Sequence, residues 1–285
     1  MSSVEVHRET VVNGVRLHYV ESGTGPLVLL LHGFPEFWYS WRQQIPKLAG
    51  AGLRVIAPDL RGYNLSDKPQ GRRAYCIREL VADMAGLIEQ AGVDRAAVVG
   101  HDWGGIVAWY LAARRPELVE RLVLLNAPPP PSALRELKTW EQRRKFFYVP
   151  LFRLPLLPEA LLRARNMNAI ERLFTLEPRR GFSEEEIEAY KTALSRKGAL
   201  TAMVNYYRAL FLPDNNRELH DHGRIHAPTL LIWGQRDRHM VPGMADGLEE
   251  FVEDLRIERL PEATHWVHHD EPERVAGLLI DHLKN

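Results

Sequence analysis

One aspartate of the chain is placed where a sharp turn could present a reactive carboxylate. Asp102 stands at the centre of Gly100–Gly104, between a short β-branched apolar run and a helical pattern. This strand-turn-helix context is typical of a nucleophile elbow, in which serine usually takes the central place. A carboxylate there predicts attack on an sp³ carbon and an ester on the enzyme. The alternative is an aspartate that only caps the following helix.

A second glycine turn could supply the hydrogen-bond donors that such chemistry needs. The segment His32–Glu36 follows a buried-strand pattern, and its Gly33 turn can direct the backbone N–H of Phe34 towards Asp102. Together with the N–H of Trp103, this arrangement predicts an oxyanion hole. Taken alone, the segment is equally consistent with an ordinary turn at a strand end.

An acid and a histidine follow later in the chain, each after a predicted strand. The order Asp102, Asp237, His265 is that of a nucleophile, an acid and a base in a known triad. His265 would activate water, and Asp237 would fix its tautomer and orientation. Asp237 could instead be a turn residue, and His265 has rivals in His101, His239, His268 and His269. Of these, we expect His268 and His269 to be solvated, because they lead into the last helix, and His101 to pack locally.

Strand and helix patterns alternate in the first half of the chain. Apolar runs predict strands buried on both faces, and Val15–Val20 alternates in polarity like a half-exposed strand. Together these elements predict an α/β fold with a mainly parallel, doubly wound sheet. The predicted buried strands are Leu27–Leu31, Leu53–Ala57, Ala96–Val99 and Leu122–Leu125, and the helices between them are Trp38–Leu48, Ile77–Gln90 and Ile106–Arg114.

A helical insertion interrupts this alternation. Four prolines, residues 128–131, predict a stiff hinge, and the following stretch to residue 220 is helical, basic and aromatic. Strand patterns return at Thr229–Trp233 and Arg256–Leu260, before a closing helix at Glu273–Leu283. We therefore expect an α/β core of residues 1–131 and 221–285 and a helical lid of residues 132–220. An insertion at the carboxyl ends of the strands would cover the ligand site of such a sheet.

Composition and charge narrow the possible partners and the compartment. The chain of 285 residues has 37 Lys and Arg against 37 Asp and Glu, so its net charge is zero, and nothing steers it towards nucleic acid or an anionic membrane. Its one cysteine, Cys76, allows no internal disulfide, and there is no zinc-binding Cys/His spacing. The charged N-terminal segment is not typical of a signal peptide. We expect a cytoplasmic protein without a metal.

The chain resembles the soluble type of epoxide hydrolase with an α/β-hydrolase fold. The resemblance implies a cofactor-free enzyme in which a nucleophilic aspartate works with two lid tyrosines that donate hydrogen bonds to the epoxide oxygen. Its substrates would be a small-molecule epoxide and water. The motifs that carry the resemblance span nearly the whole chain and lie at residues 32–42, 59–63, 100–105, 205–208 and 264–266.

The resemblance assigns the two tyrosines residue by residue. In Asn205–Arg208 the tyrosine directly before the arginine is Tyr207, and four residues before Phe152 stands Tyr148. Pro150 departs from the family pattern in this stretch. A phenol stays protonated at neutral pH, so it can polarise the ring oxygen and then act as the acid. The alternative for both tyrosines is hydrophobic packing of the lid.

The aromatic residues around the two glycine turns predict an apolar pocket. We expect Phe34, Pro35, Trp38 and Trp103 to bind substrate, which makes alkyl or aryl epoxides plausible. Pro35 follows an aromatic residue and is a candidate for a cis peptide bond.

Three other functions compete with this interpretation. A haloalkane dehalogenase also uses a nucleophilic aspartate followed by tryptophan, but its second halide donor often follows His-Gly, where Phe34 has no side-chain N–H. Fluoroacetate dehalogenases carry an arginine after the nucleophile and an acid after the sixth strand, where this chain has Trp103 and Asn126. The third possibility is a non-catalytic ligand receptor, against which the apparent triad and the two tyrosines argue.

Overall fold

Eight strands form one sheet in the computed structural model, which describes residues 5–284. The strands are β1 (Val6–Val12), β2 (Val15–Ser22), β3 (Leu27–Leu31), β4 (Arg54–Pro58), β5 (Ala96–His101), β6 (Val119–Leu125), β7 (Thr229–Gly234) and β8 (Leu255–Leu260). They lie in the order β1-β2-β4-β3-β5-β6-β7-β8. The β1–β2 and β2–β4 pairs are antiparallel and the others parallel, which confirms the predicted mainly parallel sheet. Residues 1–4, part of the charged N-terminal segment, and Asn285 lie outside the described residues.

Helices pack beside the sheet and also fill the connection between β6 and β7. The helices are α1 (Ile45–Gly50), α2 (Ile77–Gln90), α3 (Trp103–Arg114), α4 (Pro130–Glu136), α5 (Trp140–Lys145), α6 (Tyr148–Phe152), α7 (Leu157–Leu176), α8 (Glu184–Ser195), α9 (Ala199–Ala209), α10 (Pro213–His220), α11 (Val267–Asp270) and α12 (Pro272–Lys284). The seven helices α4–α10 all belong to that connection. Within residues 5–284, no helix combines the length and the apolar character needed to cross a bilayer.

The central strands are buried on both faces because each face packs on its own apolar cluster. Every residue of β3, β5 and β7 is buried. In β3, Leu27, Leu29 and Leu31 join one cluster, and Val28 and Leu30 join the other. Successive strand side chains point to opposite faces, so this division shows a sheet with a core on each side.

The structure differs from the predicted elements in three places. No strand was predicted for Val6–Val12, an edge strand that is mostly exposed and so lacks an apolar pattern. The predicted helix Trp38–Leu48 is divided into a 3₁₀ turn at Trp38–Trp41 and the short α1. The prolines 128–131 are not only a hinge, because α4 begins at Pro130. Proline fits the first turn of a helix, where the missing N–H has no intrahelical partner.

The connection between β6 and β7 has irregular backbone at two points. α7 is interrupted at residues 164–167, where Arg165, Asn166 and Met167 have positive φ angles of 50°, 55° and 59°. Leu156, just before α7, has a φ of 63°. Side chains other than glycine enter this left-handed region at a steric cost, and asparagine enters it more readily than leucine.

Candidate active site

Asp102 lies at the turn between β5 and α3, as the elbow pattern predicts. Its backbone has a φ of 48° and a ψ of −120°, a conformation rare for residues other than glycine. Close packing makes this turn possible: a Cβ on Gly104 would lie 2.2 Å from the carbonyl oxygen of Leu31. A Cβ on Gly33 would lie 2.5 Å from the Cβ of Asp102. The two glycine turns therefore touch, and larger side chains would push them apart.

The loop after β3 places a backbone donor on this carboxylate. The N–H of Phe34 donates to Oδ2 of Asp102 at 2.9 Å. The peptide bond between Phe34 and Pro35 is cis, as expected from the sequence. Trp103 opens α3 next to Asp102, and the N–H groups of a first helical turn have no intrahelical acceptor. This arrangement supports an oxyanion hole made by the N–H groups of Phe34 and Trp103.

Asp237 follows β7 and is surrounded by donors. Its Oδ2 accepts from Nδ1 of His265 at 2.8 Å and from the amide of Asn126 at 2.8 Å. Its Oδ1 accepts from the backbone N–H groups of His239 and Met240. Burial alone would raise the pKa of Asp237, but the charge and hydrogen bond of His265 lower it below its usual range. Asp237 is therefore a carboxylate at neutral pH.

That carboxylate determines how the His265 imidazole can act. A carboxylate only accepts hydrogen bonds, so Nδ1 of His265 donates to Asp237 and carries the proton in the neutral ring. Nε2 then has a free lone pair, which is what a general base needs. His265 is buried at 5% exposure and lines the same cavity as Asp102.

The two predicted tyrosines come together above the elbow. Tyr148 opens α6 and Tyr207 lies in α9, and their ring centroids are 6.0 Å apart. The ring of Tyr207 also lies 5.2 Å from that of Trp103 and 5.3 Å from that of Phe34, both edge-on. Burial raises the pKa of Tyr148, and the nearby charge of Asp102 adds to this. Burial raises the pKa of Tyr207 as well, so both phenols stay protonated.

Pro150 fits the structure without disturbing Tyr148. It is the third residue of the five-residue helix α6, within its first turn, where a missing N–H costs no intrahelical bond. A hydrogen bond attaches α6 to α9, because Arg208 donates to the carbonyl oxygen of Phe152 at 3.0 Å. This contact fixes the helix that carries one tyrosine against the helix that carries the other.

One cavity of about 860 Å³ connects these groups. Its lining is mainly apolar, and its polar members include Asp102, His265, Tyr148 and Tyr207; Phe34 and Trp103 also line it, as expected. The other two predicted substrate-binding residues do not reach it. Pro35 is buried. The Trp38 ring packs 5.3 Å from that of His7, and the backbone N–H of Trp38 donates to Oδ1 of Asp59. The structure therefore does not bring Pro35 and Trp38 into the lining of this cavity, where the sequence placed them as substrate-binding residues.

A buried polar cluster behind the elbow was missed by the sequence reasoning. Glu36 accepts from the N–H of Gly33 at 2.8 Å and pairs with Nδ1 of His101 at 2.8 Å. Nε2 of His101 lies 2.9 Å from the carbonyl oxygen of His265, and Nε2 of His268 lies 3.5 Å from Glu36. The cluster thus connects the oxyanion loop, the elbow and the loop of the base.

The charges in this cluster follow from its hydrogen bonds. Both ring nitrogens of His101 face acceptors, so both donate and the ring is an imidazolium. Burial alone would lower the pKa of His101, but Glu36 raises it. Glu36, His101 and His268 are of the right types and spacing to hold a metal ion, but His101 has no lone pair left for one.

The expectation that His268 and His269 are solvated is wrong. They are only 2% and 8% exposed, because the ring of Trp41 packs 4.9 Å from that of His268 and the ring of Phe182 stacks 3.8 Å from that of His269. A signal in the sequence could have revealed the cluster. Glu36 stands in an apolar segment that continues through Phe37 and Trp38, where a buried acid requires partners.

His239, a rival of His265 in the sequence, is instead its neighbour. The two rings lie 5.1 Å apart, and Nε2 of His239 lies 2.6 Å from Glu177, which follows α7. Burial alone would lower the pKa of His239, but the hydrogen bond and the charge of Glu177 raise it above its ordinary value. This pair joins the helical connection to the loop that carries Asp237.

Comparison with known proteins agrees with this geometry. The sequence profile described as alpha/beta hydrolase fold matches residues 26–272. The chain belongs to the alpha/beta hydrolase fold family. Within this family, epoxide hydrolase 3 of Xenopus tropicalis is 40% identical over an alignment of 286 positions, which covers 95% of this chain and 76% of the relative. AB hydrolase superfamily protein YfhM of Bacillus subtilis is 43% identical over 277 residues, 96% of each chain.

Solved structures place this family member among the epoxide hydrolases. The epoxide hydrolase of Bacillus megaterium in complex with an inhibitor has a TM-score of 0.87 and 32% identity, and covers 98% of this chain and 100% of that one. A variant of the same enzyme was solved with a naphthyloxy-propane-diol product at the same TM-score of 0.87. Epoxide hydrolase A of Mycobacterium thermoresistibile is similar too, with a TM-score of 0.87, 33% identity and 99% coverage of both chains.

Proposed function

We propose that the protein hydrolyses apolar epoxides to vicinal diols through a covalent ester of Asp102. The observation that carries the proposal is that two phenols, Tyr148 and Tyr207, line one cavity with Asp102 and His265. Phenol donors suit an epoxide oxygen, which becomes an alkoxide when the ring opens. Phe34 has no side-chain N–H to hold a halide beside Trp103, so an epoxide is favoured over a haloalkane.

In the first step, Asp102 attacks a ring carbon while the tyrosines hold the ring oxygen. A new C–O bond forms to the carboxylate, and the ring C–O bond breaks with its electron pair moving to the oxygen. That oxygen takes a proton from Tyr148 or Tyr207, which leaves a hydroxyalkyl ester on Asp102. The raised pKa of both phenols keeps the proton in place until the alkoxide develops.

In the second step, water cleaves the ester at the carboxyl carbon of Asp102. Nε2 of His265 takes a proton from the water as it attacks, and Asp237 stabilises the imidazolium that forms. The N–H groups of Phe34 and Trp103 hold the tetrahedral oxyanion. The bond between the carboxyl carbon and the alkyl oxygen then breaks. The two water protons restore the second hydroxyl of the diol and the tyrosine.

We further propose that residues 132–220 act as the lid of the α/β core formed by residues 1–131 and 221–285. This segment supplies both tyrosines and much of the apolar lining, including Val149, Leu173 and Leu210. An apolar lining favours apolar epoxides, because their transfer from water into the cavity is favourable. The diol product of the Bacillus megaterium complex, an aryl ether, is consistent with such a pocket.

The covalent step can be tested by trapping the ester. His265→Gln removes the base but leaves Asp102 and both tyrosines, so the first step should proceed and the second should stop. Intact-protein mass spectrometry after mixing with styrene oxide should then show an adduct of substrate mass. The matched control is His265→Gln with Asp102→Asn, which should show no adduct. An active wild type whose His265→Gln variant forms no adduct would argue for direct attack by water.

A further inference from the structure

Charge is unevenly distributed although the whole chain is neutral. The segment of residues 138–165 carries seven lysines and arginines and two glutamates, a surplus of five positive charges. The remainder of the chain therefore carries a surplus of five negative charges. Of the two glutamates, Glu159 is neutralised by Arg208, which lies outside the segment. Among the described residues, Arg144, Arg163 and Arg165 have no carboxylate within ion-pair distance.

The same 138–165 segment also exposes large apolar side chains to water. Phe147 is 74% and Leu156 is 80% exposed. Soluble proteins expose such side chains singly, and clustered ones mark a surface that binds something. Within the segment, the remaining exposed large apolar residues are Trp140, Leu154, Leu157 and Leu161.

Leu156 is costly to keep in its place for two separate reasons. Its φ of 63° is unfavourable for leucine, and asparagine or glycine would adopt it at lower cost. Its side chain is also almost fully in water, where it contributes no packing. Transfer of the Leu156 side chain from water into an apolar phase would offset both costs. Leu156 therefore indicates a binding partner with an apolar interior.

The cavity opens within this surface. Phe147 and Leu161 line the cavity that contains Asp102 and are themselves exposed, as is Phe211 of the turn after α9. Arg143 lies at the same opening, and Arg153 covers the Phe211 ring at 4.3 Å. The mouth of the cavity is therefore surrounded by apolar tips and cationic side chains.

We propose that the 138–165 segment docks on the surface of a bilayer that contains anionic phospholipid, with the cavity mouth facing the lipid. Apolar tips beside unpaired cations are the composition of interfacial membrane-binding elements. A second copy of this chain fits less well, because a two-fold contact would bring two surpluses of five positive charges together. The proposal goes beyond epoxide hydrolysis, and it departs from the expectation that a neutral chain has no membrane partner.

Sedimentation with vesicles tests the docking directly. The intact protein should pellet with vesicles of phosphatidylglycerol and phosphatidylcholine at low salt and should remain largely in the supernatant with phosphatidylcholine alone. Raising the salt should release it, because screening weakens the attraction between the cations and the headgroups. Binding does not require turnover, so it can succeed or fail independently of the proposed epoxide hydrolysis.

Two variants separate the apolar from the ionic contribution. Leu156→Asn should weaken vesicle binding roughly tenfold, the lower limit for losing one buried leucine. It should leave styrene oxide turnover unchanged and should not lower the melting temperature, because asparagine adopts the backbone angle at lower cost than leucine. Replacing Arg144, Arg163 and Arg165 by glutamine should weaken binding roughly a hundredfold, at about fivefold for each cation. The matched controls are Val11→Asn and the triple glutamine variant of Arg72, Arg95 and Lys197, exposed residues outside the segment that should have little effect.

Three results would overturn the docking. The first is a wild type that fails to bind anionic vesicles at low salt. The second is binding that the segment variants leave unchanged, or that the controls reduce equally. The third is a dimer in light scattering that Leu156→Asn dissociates, without vesicle binding, which would assign this surface to contact between copies.

Discussion

The α/β core and the helical lid contribute to the candidate site by different physical means. The core presents Asp102, Asp237 and His265 after the carboxyl ends of β5, β7 and β8 and fixes them with hydrogen bonds of 2.6–2.9 Å. The lid presents Tyr148 and Tyr207 through packed aromatic rings 4.9–6.0 Å apart. In the proposed reaction, the group that bonds to the substrate carbon therefore comes from the core, and the lid supplies the proton donors and much of the apolar lining.

The two regions also differ in how their backbones are held. β3, β5 and β7 are buried throughout, whereas most of the exposed large apolar side chains are in the lid. The lid helices α4–α6 have five to seven residues each, and α7 is interrupted. Helices this short depend on tertiary contacts for their stability. We therefore expect substitutions and backbone motion to be tolerated better in the lid than in the core.

The largest effect is expected in the core, at Asp102. Asp102→Asn keeps the shape and suits the positive φ, but an amide cannot form the ester. Turnover should fall by roughly 10⁴-fold or more, as for removal of other nucleophiles. Steady-state diol formation checks this, and circular dichroism should show an unchanged fold. A variant with more than a few per cent of wild-type activity would contradict the role given to this carboxylate.

A somewhat smaller effect is expected for the lid tyrosines. Tyr148→Phe and Tyr207→Phe each remove one of two donors to the same oxygen, so each should slow ring opening towards the lower end of roughly 10²–10⁴-fold. The double variant should be almost inactive. Single-turnover alkylation of Asp102 measures this step by itself. Near wild-type alkylation of Asp102 in the double variant would contradict an epoxide substrate and favour a haloalkane.

The stability of the two regions can be compared at one buried ion pair in each. In the core, Arg61 pairs with Asp83, and both are almost fully buried; in the lid, Arg208 pairs with Glu159, and both are slightly more exposed. Arg61→Met should lower the free energy of unfolding by about 3–5 kcal/mol, because Asp83 would remain buried without its ion-pair partner. Arg208→Met should cost about 2 kcal/mol. Hydrogen exchange should show that Arg208→Met loosens amides of α6–α7 and leaves β5 protected; equal loosening of both would contradict the comparison.

The contact between lid and core at Glu177 and His239 should depend on pH. Because Glu177 raises the pKa of His239 in the folded state, this pair stabilises the fold fully below about pH 6.5, the unfolded value. The contribution is lost as the pH rises through the folded pKa. The difference in melting temperature between wild type and His239→Gln should therefore be largest near pH 6 and shrink towards pH 9. A constant difference across that range would show that the pair is not ionic.

The core was largely predictable from sequence because its signals are local. Leu27–Leu31 and Ile77–Gln90 have the predicted bounds. A strand buried on both faces shows a continuous apolar run, and an amphipathic helix shows apolar residues at helical spacing, so both can be recognised in the sequence. The edge strand Val6–Val12 was missed because most of its residues are exposed, so the sequence shows no apolar run there. His268 and Trp38 were misjudged because their surroundings come from distant segments: Glu36 for the first and His7 for the second.

The lid was predictable as helical but not in its details. A capping box indicates the start of α8, because the side chains of Ser183 and Glu186 each accept a hydrogen bond from the backbone of the other. α4 and α6 contain prolines that obscure a helical pattern. Tyr148 and Tyr207 were found by resemblance, since their proximity depends on how α6 packs on α9. The basic character of the insertion was visible in the sequence, but the exposure of the apolar side chains beside the cations of the 138–165 segment depends on how the lid helices pack.

The central claim is that Asp102 forms an ester that water cleaves at the carboxyl carbon. A single turnover in ¹⁸O-water, with enzyme in excess over styrene oxide, follows the oxygen atoms directly. The account predicts a diol whose new oxygen is unlabelled, because it comes from Asp102, and an ¹⁸O atom in the carboxylate of the peptide that contains Asp102. Diol carrying ¹⁸O on the first turnover, with unlabelled Asp102, would contradict the account.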